Sequence, residues 1–594
     1  MKLRSLFCCT LVCGLALVTT GCGTRSVPTG AASSDIPHLR KQGTATQLIV
    51  DGKPFLARAG ELTNNSATSL EFMQPVWPKL VDGKLNTVLA GVSWAQIEPE
   101  EGKFDFSVPD GVIRDARSHN LHLVFLWFAS WKNGLSSYPP TWVKKDFDRF
   151  PRAQLVGGDI PWPVLTASSA VSHSKIVGSM SLELLSPFSE ANLNADAGAF
   201  AALMRHIKEV DGQQHTVIMI QVENEVGMQG DSRDRVAAAN TAYAGPVPKE
   251  MMDYLQQHKE TLIPELRKVW EAAGFKTSGT WEEVFGKSTA AEEIFMSWYF
   301  ARYCGRVAEA GKAEYPIPMY VNAALTRKSS IADAIGKGHT PGITGFYFAV
   351  GGPREDVLDI WRAGAPQIDI LSPDAYRDYE EFCEKYVRSG NPLFVPESNG
   401  GPDGAARALY AFGRYDAMGY SRMGIDSPSA PDDDLTNSYD LVSQLGPLIS
   451  QHQGNGTMSA VLLRNPKDPP QKIKVGNYTL EVAFLVPRKG APLAENPPPA
   501  AAIFIAAGPD EYYAAGVGSG LTVAFSPNTP GPEHAGLLTV EEGNFVDGRW
   551  VAGRTLAGDD SDQGQYLELR KPSVCCMPPA KANRIQHFTL YRYR

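Results

Sequence analysis

The sequence predicts an α/β fold: a (β/α)8 TIM barrel followed by a C-terminal antiparallel β-sandwich-like domain. From residue 46, short apolar runs alternate with amphipathic helical stretches, a pattern typical of a parallel sheet covered by helices. Beyond residue 454, short alternating runs are divided by Pro and Gly turns, which indicates antiparallel strands. With 594 residues the chain is too long for one ordinary core. We therefore expect a barrel over residues 46–454 and a β-rich accessory domain over residues 455–594.

The N-terminus has the features of a targeting segment. Lys2 and Arg4 precede an apolar run over residues 6–18, which is too short to span a bilayer. Thr-Thr-Gly-Cys at residues 19–22 resembles a bacterial lipoprotein cleavage box, with Cys22 as the lipidated residue. Ordinary signal cleavage remains the alternative, because Thr19 replaces the usual aliphatic residue. We expect a signal peptide over residues 1–22, a linker over 23–45, and an exported, periplasmic or outer-membrane-anchored protein of a Gram-negative bacterium.

Charge and composition limit the partners. The 56 basic and 65 acidic residues give a net charge of −9 without any basic run, so no nucleic-acid partner is predicted. A neutral polyol suits this balance better, and the 11 tryptophans agree with it, since aromatic faces pack on sugar rings. The cysteines lack the paired spacing of a zinc site and the histidines are scattered, so we expect no metal and no cofactor.

The barrel strands can be assigned in order along the chain. A hairpin over residues 48–59, with an Asp-Gly turn, leads into the first strand, which ends at Glu61. The remaining predicted strands cover residues 85–91, 121–127, 217–222, 318–322, 368–371, 393–395 and 420–424. Helices are predicted over residues 109–119, 249–273, 290–311 and 435–452, among others. The long segment over residues 134–190 is expected to shape a binding site.

Two glutamates follow buried strands. Glu225 comes after the fourth strand and Glu397 after the seventh. A carboxylate at the carboxyl end of a barrel strand is typical of a catalytic residue, and two such groups facing one cavity suit glycoside hydrolysis. A lone glutamate would more often cap a helix or pair with an arginine; the matched pair favours the catalytic interpretation.

The residues around Glu225 carry a family resemblance. Gln221 to Gly227, reading Gln-Val-Glu-Asn-Glu-Val-Gly, resembles the acid/base signature of family 35 glycoside hydrolases, the β-galactosidases of the clan A barrels. Trp94, Glu98, Pro99 and Gly102 match a second motif of that family. The resemblance covers roughly residues 45 to 455, and the tail resembles the β domain of a bacterial subgroup.

The resemblance implies roles for individual residues. Glu225 would be the acid/base, Glu397 the nucleophile, and Asn224 would hydrogen-bond the sugar 2-hydroxyl. Glu225 would then need a raised pKa, whereas Glu397 must stay ionised. Ala95 and Ile97 replace the family's usual Asn and His. The segment over residues 128–133 lacks its Asn/Cys-Ala-Glu sugar contacts, so the identity of the sugar is less secure than the chemistry.

Further side chains near the strand ends are candidate walls of a sugar pocket, each with packing as the alternative. They are Glu61, Trp94, Trp127, Trp131, Asn133, Asp374 and Tyr376. For the C-terminal domain we expect packing support, with a carbohydrate-binding appendage as the alternative.

Together these observations predict a retaining exo-β-galactosidase that removes terminal β-D-galactosyl residues from oligosaccharides or plant-type polysaccharide fragments. One alternative is an exo-glycosidase for β-glucosides, β-arabinopyranosides or β-fucosides. A catalytically silent sugar-binding lipoprotein is the alternative from a different class. The separation of the two carboxyl groups distinguishes them: about 5 Å for retention, roughly 6.5 to 9.5 Å for inversion, and much more for a binder.

Overall fold

Three short antiparallel strands precede the barrel in this computed structural model, which describes residues 35–154, 184–228, 231–325, 330–336, 349–388, 390–427, 432–485, 496–561, 563–569 and 585–594. They are β1 His38–Gln42, β2 Ala45–Val50 and β3 Lys53–Phe55. Asp51 and Gly52 have φ angles of 51° and 73°, as a two-residue hairpin turn requires, so the predicted hairpin is confirmed. β1 corrects the expectation of a linker up to residue 45. Cys22 lies outside the described residues.

Eight parallel strands form the barrel, and their order around it follows the chain. β11 lies beside β4, and a parallel backbone bridge between Asp374 and Glu397 joins β9 to β10. The predicted (β/α)8 fold is therefore confirmed, including its short eighth strand. The strands are β4 Ala57–Glu61, β5 Thr87–Ser93, β6 His122–Lys132, β7 Val217–Asn224, β8 Met319–Ala324, β9 Ile370–Asp374, β10 Phe394–Val395 and β11 Gly419–Met423.

Helices surround the strands. They are α1 Leu70–Met73, α2 Trp77–Asp82, α3 Trp94–Ile97, α4 Ser107–Ser118, α5 Thr141–Lys145, α6 Glu190–Asp211, α7 Ala237–Ala244, α8 Lys249–Gln257, α9 Pro264–Ala272, α10 Trp281–Phe285, α11 Thr289–Glu314, α12 Leu358–Gly364, α13 Tyr379–Val387, α14 Gly401–Arg414 and α15 Asp433–His452. The single helix expected over residues 249–273 is two helices, because Pro264 begins the second. In the described part of the chain, no helix has both the length and the apolar character needed to cross a bilayer.

The barrel interior changes from apolar to charged along its axis. Leu48 and Val50 of β2 cluster with Ala57, Leu89 and Val124, so the hairpin covers the amino end of the strands. The apolar side chains at this end stabilise the barrel by burial. Ionisable side chains gather at the opposite, carboxyl end of the strands, where active sites of such barrels lie.

The C-terminal domain is a sandwich of two antiparallel sheets. Its strands are β12 Met458–Leu463, β13 Gln471–Val475, β14 Tyr478–Phe484, β15 Ala500–Ala506, β16 Glu511–Val517, β17 Leu521–Pro527, β18 His534–Val546, β19 Arg549–Thr555, β20 Leu567–Leu569 and β21 Ile585–Tyr593. One sheet has the order β12-β15-β16-β21-β18-β19, and the other β13-β14-β17-β20. The predicted β domain is therefore confirmed.

The larger sheet contacts both the sandwich core and the barrel. Alternate residues of β15 point in opposite directions: Ala502 and Phe504 belong to the core between the two sheets, whereas Ile503 belongs to the core shared with the barrel. At Gly413 of α14, an added Cβ would lie 2.7 Å from the Cβ of Ala460, so helix and sheet pack without a gap. This contact supports the expected packing role of the domain.

Candidate active site

The carboxyl ends of the barrel strands bring charged and amide side chains together. Glu61, Lys132, Asn224 and Asp374 are the last residues of β4, β6, β7 and β9. Asn322 lies near the end of β8. Glu225 follows β7 directly, and Glu397 lies two residues beyond the end of β10. This convergence results from the parallel sheet, in which all strands end on one face.

Glu225 and Glu397 face each other across this site, as the sequence predicts. One carboxylate oxygen each of Glu225, Asp374 and Glu397 lies within 4.8 Å of the others. Glu225 is half-buried, and Glu397 is buried with 5% of its surface exposed. In this arrangement one carboxyl group can transfer a proton to a small molecule while the other carboxyl group contacts the same molecule.

Glu225 is held by its backbone. Its φ of 44° is unusual for a residue with a side chain, and its N–H donates to Oδ1 of Asn322 at 2.9 Å. Burial, followed by the charge of Glu397, raises the pKa of Glu225 to about 7, while Lys132 opposes the rise. A carboxyl group with this pKa can hold a proton at neutral pH and still release it.

Glu397 is held by hydrogen bonds from a neighbouring strand end. The hydroxyl of Tyr376 donates to Oε2 at 2.7 Å, and the N–H of Ala375 donates to the Glu397 carbonyl at 3.0 Å. Tyr376 is 36% exposed. The structure therefore places the predicted pocket residue Tyr376 beside Glu397, with part of its surface exposed.

Lys132 is a site residue that the sequence analysis did not select. Its ammonium donates to Oδ1 of Asn224 at 2.9 Å and is buried. Although burial opposes its charge, the carboxylates of Glu397, Glu225 and Glu61 raise the pKa of Lys132. The available signal was a lysine at the end of a strand that is mainly apolar and aromatic.

Glu61 and Asp374 complete the carboxyl group cluster. Glu61 is fully buried, and neither of its oxygens has a hydrogen-bond partner among the described residues. Burial, and then the charge of Glu397, raises the pKa of both groups well above the usual range. The structure brings both predicted residues to the site, but as buried neighbours of the two glutamates.

The three predicted tryptophans are packing residues, which corrects the expectation that they line a pocket. Trp94, Trp127 and Trp131 are each fully buried. Their indole N–H groups donate to Glu98 Oε2 at 2.9 Å, Asp196 Oδ1 at 2.9 Å and the Leu185 carbonyl at 3.2 Å, respectively. Because these side chains point into the layer between strands and helices, they cannot contact a ligand in the barrel mouth.

The motif of Trp94, Glu98, Pro99 and Gly102 forms a turn that is held by Glu98. Besides the indole N–H of Trp94, Glu98 accepts the backbone N–H of Gly102 at 2.8 Å. The similarity of these residues to a family motif therefore reflects a structural turn. Asn133, in contrast, is exposed at the mouth, and its N–H donates to the Asn224 carbonyl at 3.2 Å.

Three carboxyl groups of the acidic cluster lie close enough together to raise the question of a metal site. Glu225, Asp374 and Glu397 converge closely enough to ligate an ion. However, the buried ammonium of Lys132 already provides a positive charge among these carboxyl groups, and Tyr376 occupies an oxygen of Glu397. This donor set fits proton chemistry better than a resident divalent cation.

A closed (β/α)8 barrel with two glutamates meeting at the ends of its fourth and seventh strands has the architecture of a glycoside hydrolase. Comparison with known proteins agrees at this level. Residues 78–154 match the family 42 glycoside hydrolase model, described as beta-galactosidase, and residues 435–568 match a domain of unknown function, DUF5597. The family 35 assignment stays a prediction, since the match is to family 42.

Solved structures that align with part of this chain include β-galactosidases. The enzyme from Bacillus circulans sp. alkalophilus aligns at 13% identity and a TM-score of 0.41, covering 66% of this chain and 57% of that one. The Rahnella sp. R3 enzyme aligns at 14% identity and a TM-score of 0.40, covering 67% of this chain and 57% of that one. A β-amylase catalytic domain from Paenibacillus polymyxa aligns at 11% identity and a TM-score of 0.40, covering 64% of this chain and 96% of that one. This chain thus spans under two thirds of the β-galactosidases, and no curated protein matches it.

Proposed function

We propose that the protein is a retaining exo-β-galactosidase that releases terminal β-D-galactosyl residues from oligosaccharides or plant-type polysaccharide fragments. The observation that carries this proposal is the approach of Glu225 and Glu397 oxygens to within 4.8 Å. Retaining glycosidases have carboxyl groups about 5 to 5.5 Å apart, whereas inverting enzymes need roughly 6.5 to 9.5 Å to admit a water molecule.

The first step would be attack by Glu397 on the anomeric carbon. A bond forms between a Glu397 oxygen and C1 as the C1–O bond to the leaving group breaks, and Glu225 transfers its proton to the departing oxygen. Glu225 then takes a proton from water, whose oxygen attacks C1 and releases Glu397. The pKa of Glu225, about 7, suits both directions of proton transfer.

Two neighbours support these roles. The Tyr376 hydroxyl donates to Glu397 and fixes the carboxylate that would attack. Asn224 is held through Oδ1 by Lys132, and its Nδ2 has no hydrogen-bond partner within the described ranges. An unpaired amide N–H beside the acid/base candidate is suited to a sugar 2-hydroxyl, the contact that strengthens toward the transition state.

Trapping the covalent intermediate tests this proposal. A 2-deoxy-2-fluoro-β-galactosyl fluoride should add one fluorogalactosyl unit to the protein, visible by intact mass, and peptide mapping should locate it on Glu397. Glu397→Gln should not be labelled, whereas the matched variant Glu223→Gln should. NMR of the first product should show β-galactose. A first product with the α configuration, or labelling of another residue, would refute the mechanism.

The alternative substrate classes remain β-glucosides, β-arabinopyranosides and β-fucosides. Lys132 and Asn133 stand in the segment where family 35 would carry its Asn/Cys-Ala-Glu contacts, which favours testing these sugars. A panel of chromogenic glycosides should rank the β-galactoside first. If another sugar exceeds it in kcat/KM, the substrate assignment changes; if none turns over, the sugar-binding alternative stands.

We also propose that the protein is exported and anchored through Cys22, on the basis of its N-terminal sequence. Radiolabelled palmitate should be incorporated into the wild-type protein expressed in a Gram-negative host. Cys22→Ser should abolish incorporation, and labelling of that variant would contradict the anchor.

A further inference from the structure

Strand β6 reaches the mouth of the barrel through an irregular segment. Trp127 pairs with Val222 of β7, and the next paired residues are Lys132 and Asn224. While β6 advances from residue 127 to residue 132, β7 advances only from residue 222 to residue 224. A bulge of this kind changes the direction in which the following side chain points. It brings Lys132 beside Asn224 at the carboxyl end of the barrel.

A tight turn follows Lys132 and holds the backbone of Asn224. Asn133 and Gly134 have φ angles of 54° and 67°, as a type I′ turn requires of its two central residues. The Lys132 N–H donates to the Leu135 carbonyl at 2.8 Å, and the Leu135 N–H donates to the Lys132 carbonyl at 3.0 Å. The Asn133 N–H donates to the Asn224 carbonyl at 3.2 Å. The turn therefore fixes where Asn224 lies at the end of β7.

The Lys132 ammonium determines which end of the Asn224 amide faces it. An ammonium can only donate hydrogen bonds, so it requires the amide oxygen, and its Nζ lies 2.9 Å from Oδ1 of Asn224. The amide nitrogen then points away from the lysine, and Nδ2 is buried without a hydrogen-bond partner among the described residues. Without the ammonium this preference disappears, because either end of the amide can take that place.

Lys132 also has hydrogen-bond donors that the protein does not use. Its ammonium has three N–H groups, and Asn224 Oδ1 is its one hydrogen-bond acceptor among the residues that the structure describes. The residue is 7% exposed, and no carboxylate of the described residues lies within 4.0 Å of Nζ. Unpaired N–H groups on a buried charge are costly, so an acceptor from a bound molecule would stabilise them. Lys132 and Asn224 thus form a corner of the site that offers donors.

We propose that Lys132 is a positioning residue that makes the protein select glycosyl units with a hydroxyl group at C2. It holds the Asn224 amide with its N–H toward the sugar, and the two side chains together require an oxygen acceptor. A 2-hydroxyl oxygen meets this requirement. A 2-deoxy sugar has no acceptor there, and a protonated 2-amino sugar has only donors and the same charge as Lys132. The inference rests on the proposed function, in which Asn224 contacts the 2-hydroxyl.

A ratio of two substrates isolates this contact: kcat/KM for an aryl β-galactoside divided by kcat/KM for its 2-deoxy counterpart. An effect of Lys132 on the charges of Glu225 and Glu397 reaches both substrates alike and cancels in the ratio. Lys132→Met should lower the ratio about 10-fold, because a hydrogen bond that strengthens toward the transition state is lost. Asn224→Ala should lower it similarly. The double variant should fall no more than about twofold further, since both residues act through one contact.

Two further variants control for charge and for the substitution itself. Lys132→Arg keeps the charge and the donors, and its ratio should lie above that of Lys132→Met. Lys144→Met removes a lysine of α5 whose ammonium donates to the Ser137 carbonyl at 2.6 Å, and it should leave the ratio unchanged. An unchanged ratio in Lys132→Met, or losses that multiply in the double variant, would overturn the inference. If another glycoside is the better substrate, that glycoside and its 2-deoxy counterpart provide the ratio.

Isothermal titration calorimetry tests the same selection without turnover. At pH 6, where galactosamine is protonated, the wild type should bind galactose at least about 10-fold more tightly than galactosamine. Lys132→Met should narrow this difference. Equal affinities in the wild type, or no measurable binding of galactose, would contradict the inference. If the difference is present but no glycoside is hydrolysed, only the proposed function fails; hydrolysis with a ratio that Lys132→Met does not change refutes only the inference.

Discussion

Two groups of buried carboxyls lie on either side of strand β7, and among the described residues only the inner group contains a cation. On the inner side, Glu225 joins Glu61, Asp374 and Glu397 around Lys132. On the outer side, Glu223 is fully buried near Asp196, and its Oε2 accepts the Trp131 N–H at 2.7 Å. The two glutamates are two residues apart, so strand alternation alone would place them on the same side.

The backbone separates them. Glu223 has a φ of 61° and Glu225 a φ of 44°, so both depart from extended geometry. Asp196 on the outer side accepts the Trp127 and Ser130 donors, which fixes the layer between strands and helices. The comparison shows two uses of burial. With an ammonium and access to the mouth, burial suits a carboxyl group to acid–base chemistry; without them, the carboxyl group makes structural hydrogen bonds.

Glutamine substitutions on the two sides give the largest expected difference. Glu225→Gln should lower kcat/KM for a galactoside with a poor leaving group by about 10²- to 10⁴-fold, because general acid catalysis is lost. Glu223→Gln, with the same change of charge, should stay within about threefold of the wild type, since its side chain points away from the site. Steady-state kinetics would check both, and equal losses would break the distinction.

Removing the ammonium should shift the pH dependence of the inner group. Lys132 lowers the pKa of Glu225, so Lys132→Met should move the alkaline limb of kcat/KM to higher pH. At pH 7 we expect a loss of about 10-fold or more, because the site loses the buried positive charge that lies among its carboxyl groups. Lys132→Arg should retain part of the wild-type profile. An unchanged profile in the methionine variant would show that Lys132 acts only through packing.

The outer group should affect stability rather than rate. Burial, followed by Asp196, raises the pKa of Glu223 well above its usual 4.5. A carboxyl whose folded pKa is raised contributes its stability below the unfolded pKa and loses it as the pH rises toward the folded value. Glu223→Gln should therefore match the wild type near pH 4.5 and melt about 2 °C higher at pH 8. A lower Tm at pH 8 would contradict a raised pKa of Glu223.

A surface ion pair gives the smallest effect and sets the scale for the others. Arg149 donates to both carboxylate oxygens of Glu101, at 2.9 and 2.6 Å, while both side chains are about half exposed. Glu101→Gln should change Tm by less than about 1 °C, because exposed pairs contribute about 0–1 kcal/mol and are screened by salt. A larger loss, measured by differential scanning fluorimetry, would mean that exposure is a poor guide to the buried groups as well.

The sequence predicted the strands better than the walls of the site. The apolar runs predict the strands, and Glu225 and Glu397 therefore fall at the correct strand ends. This works because strand order and closure of a parallel barrel follow from chain order. The tryptophans were misplaced, since a large side chain near a strand end can point to either layer. Lys132 was overlooked, because its meaning depends on carboxylates from three other strands that meet only in the folded protein.

Contact between α14 and the larger sheet of the C-terminal domain has a practical consequence. Ala460 and Ile503 lie directly against Gly413. A shortened protein that stops after the barrel would present this apolar helix face to water, where it would adhere to other copies. Preparations for kinetics or crystallisation should therefore keep both halves together, and a protease cut between them should leave the pieces migrating as one particle.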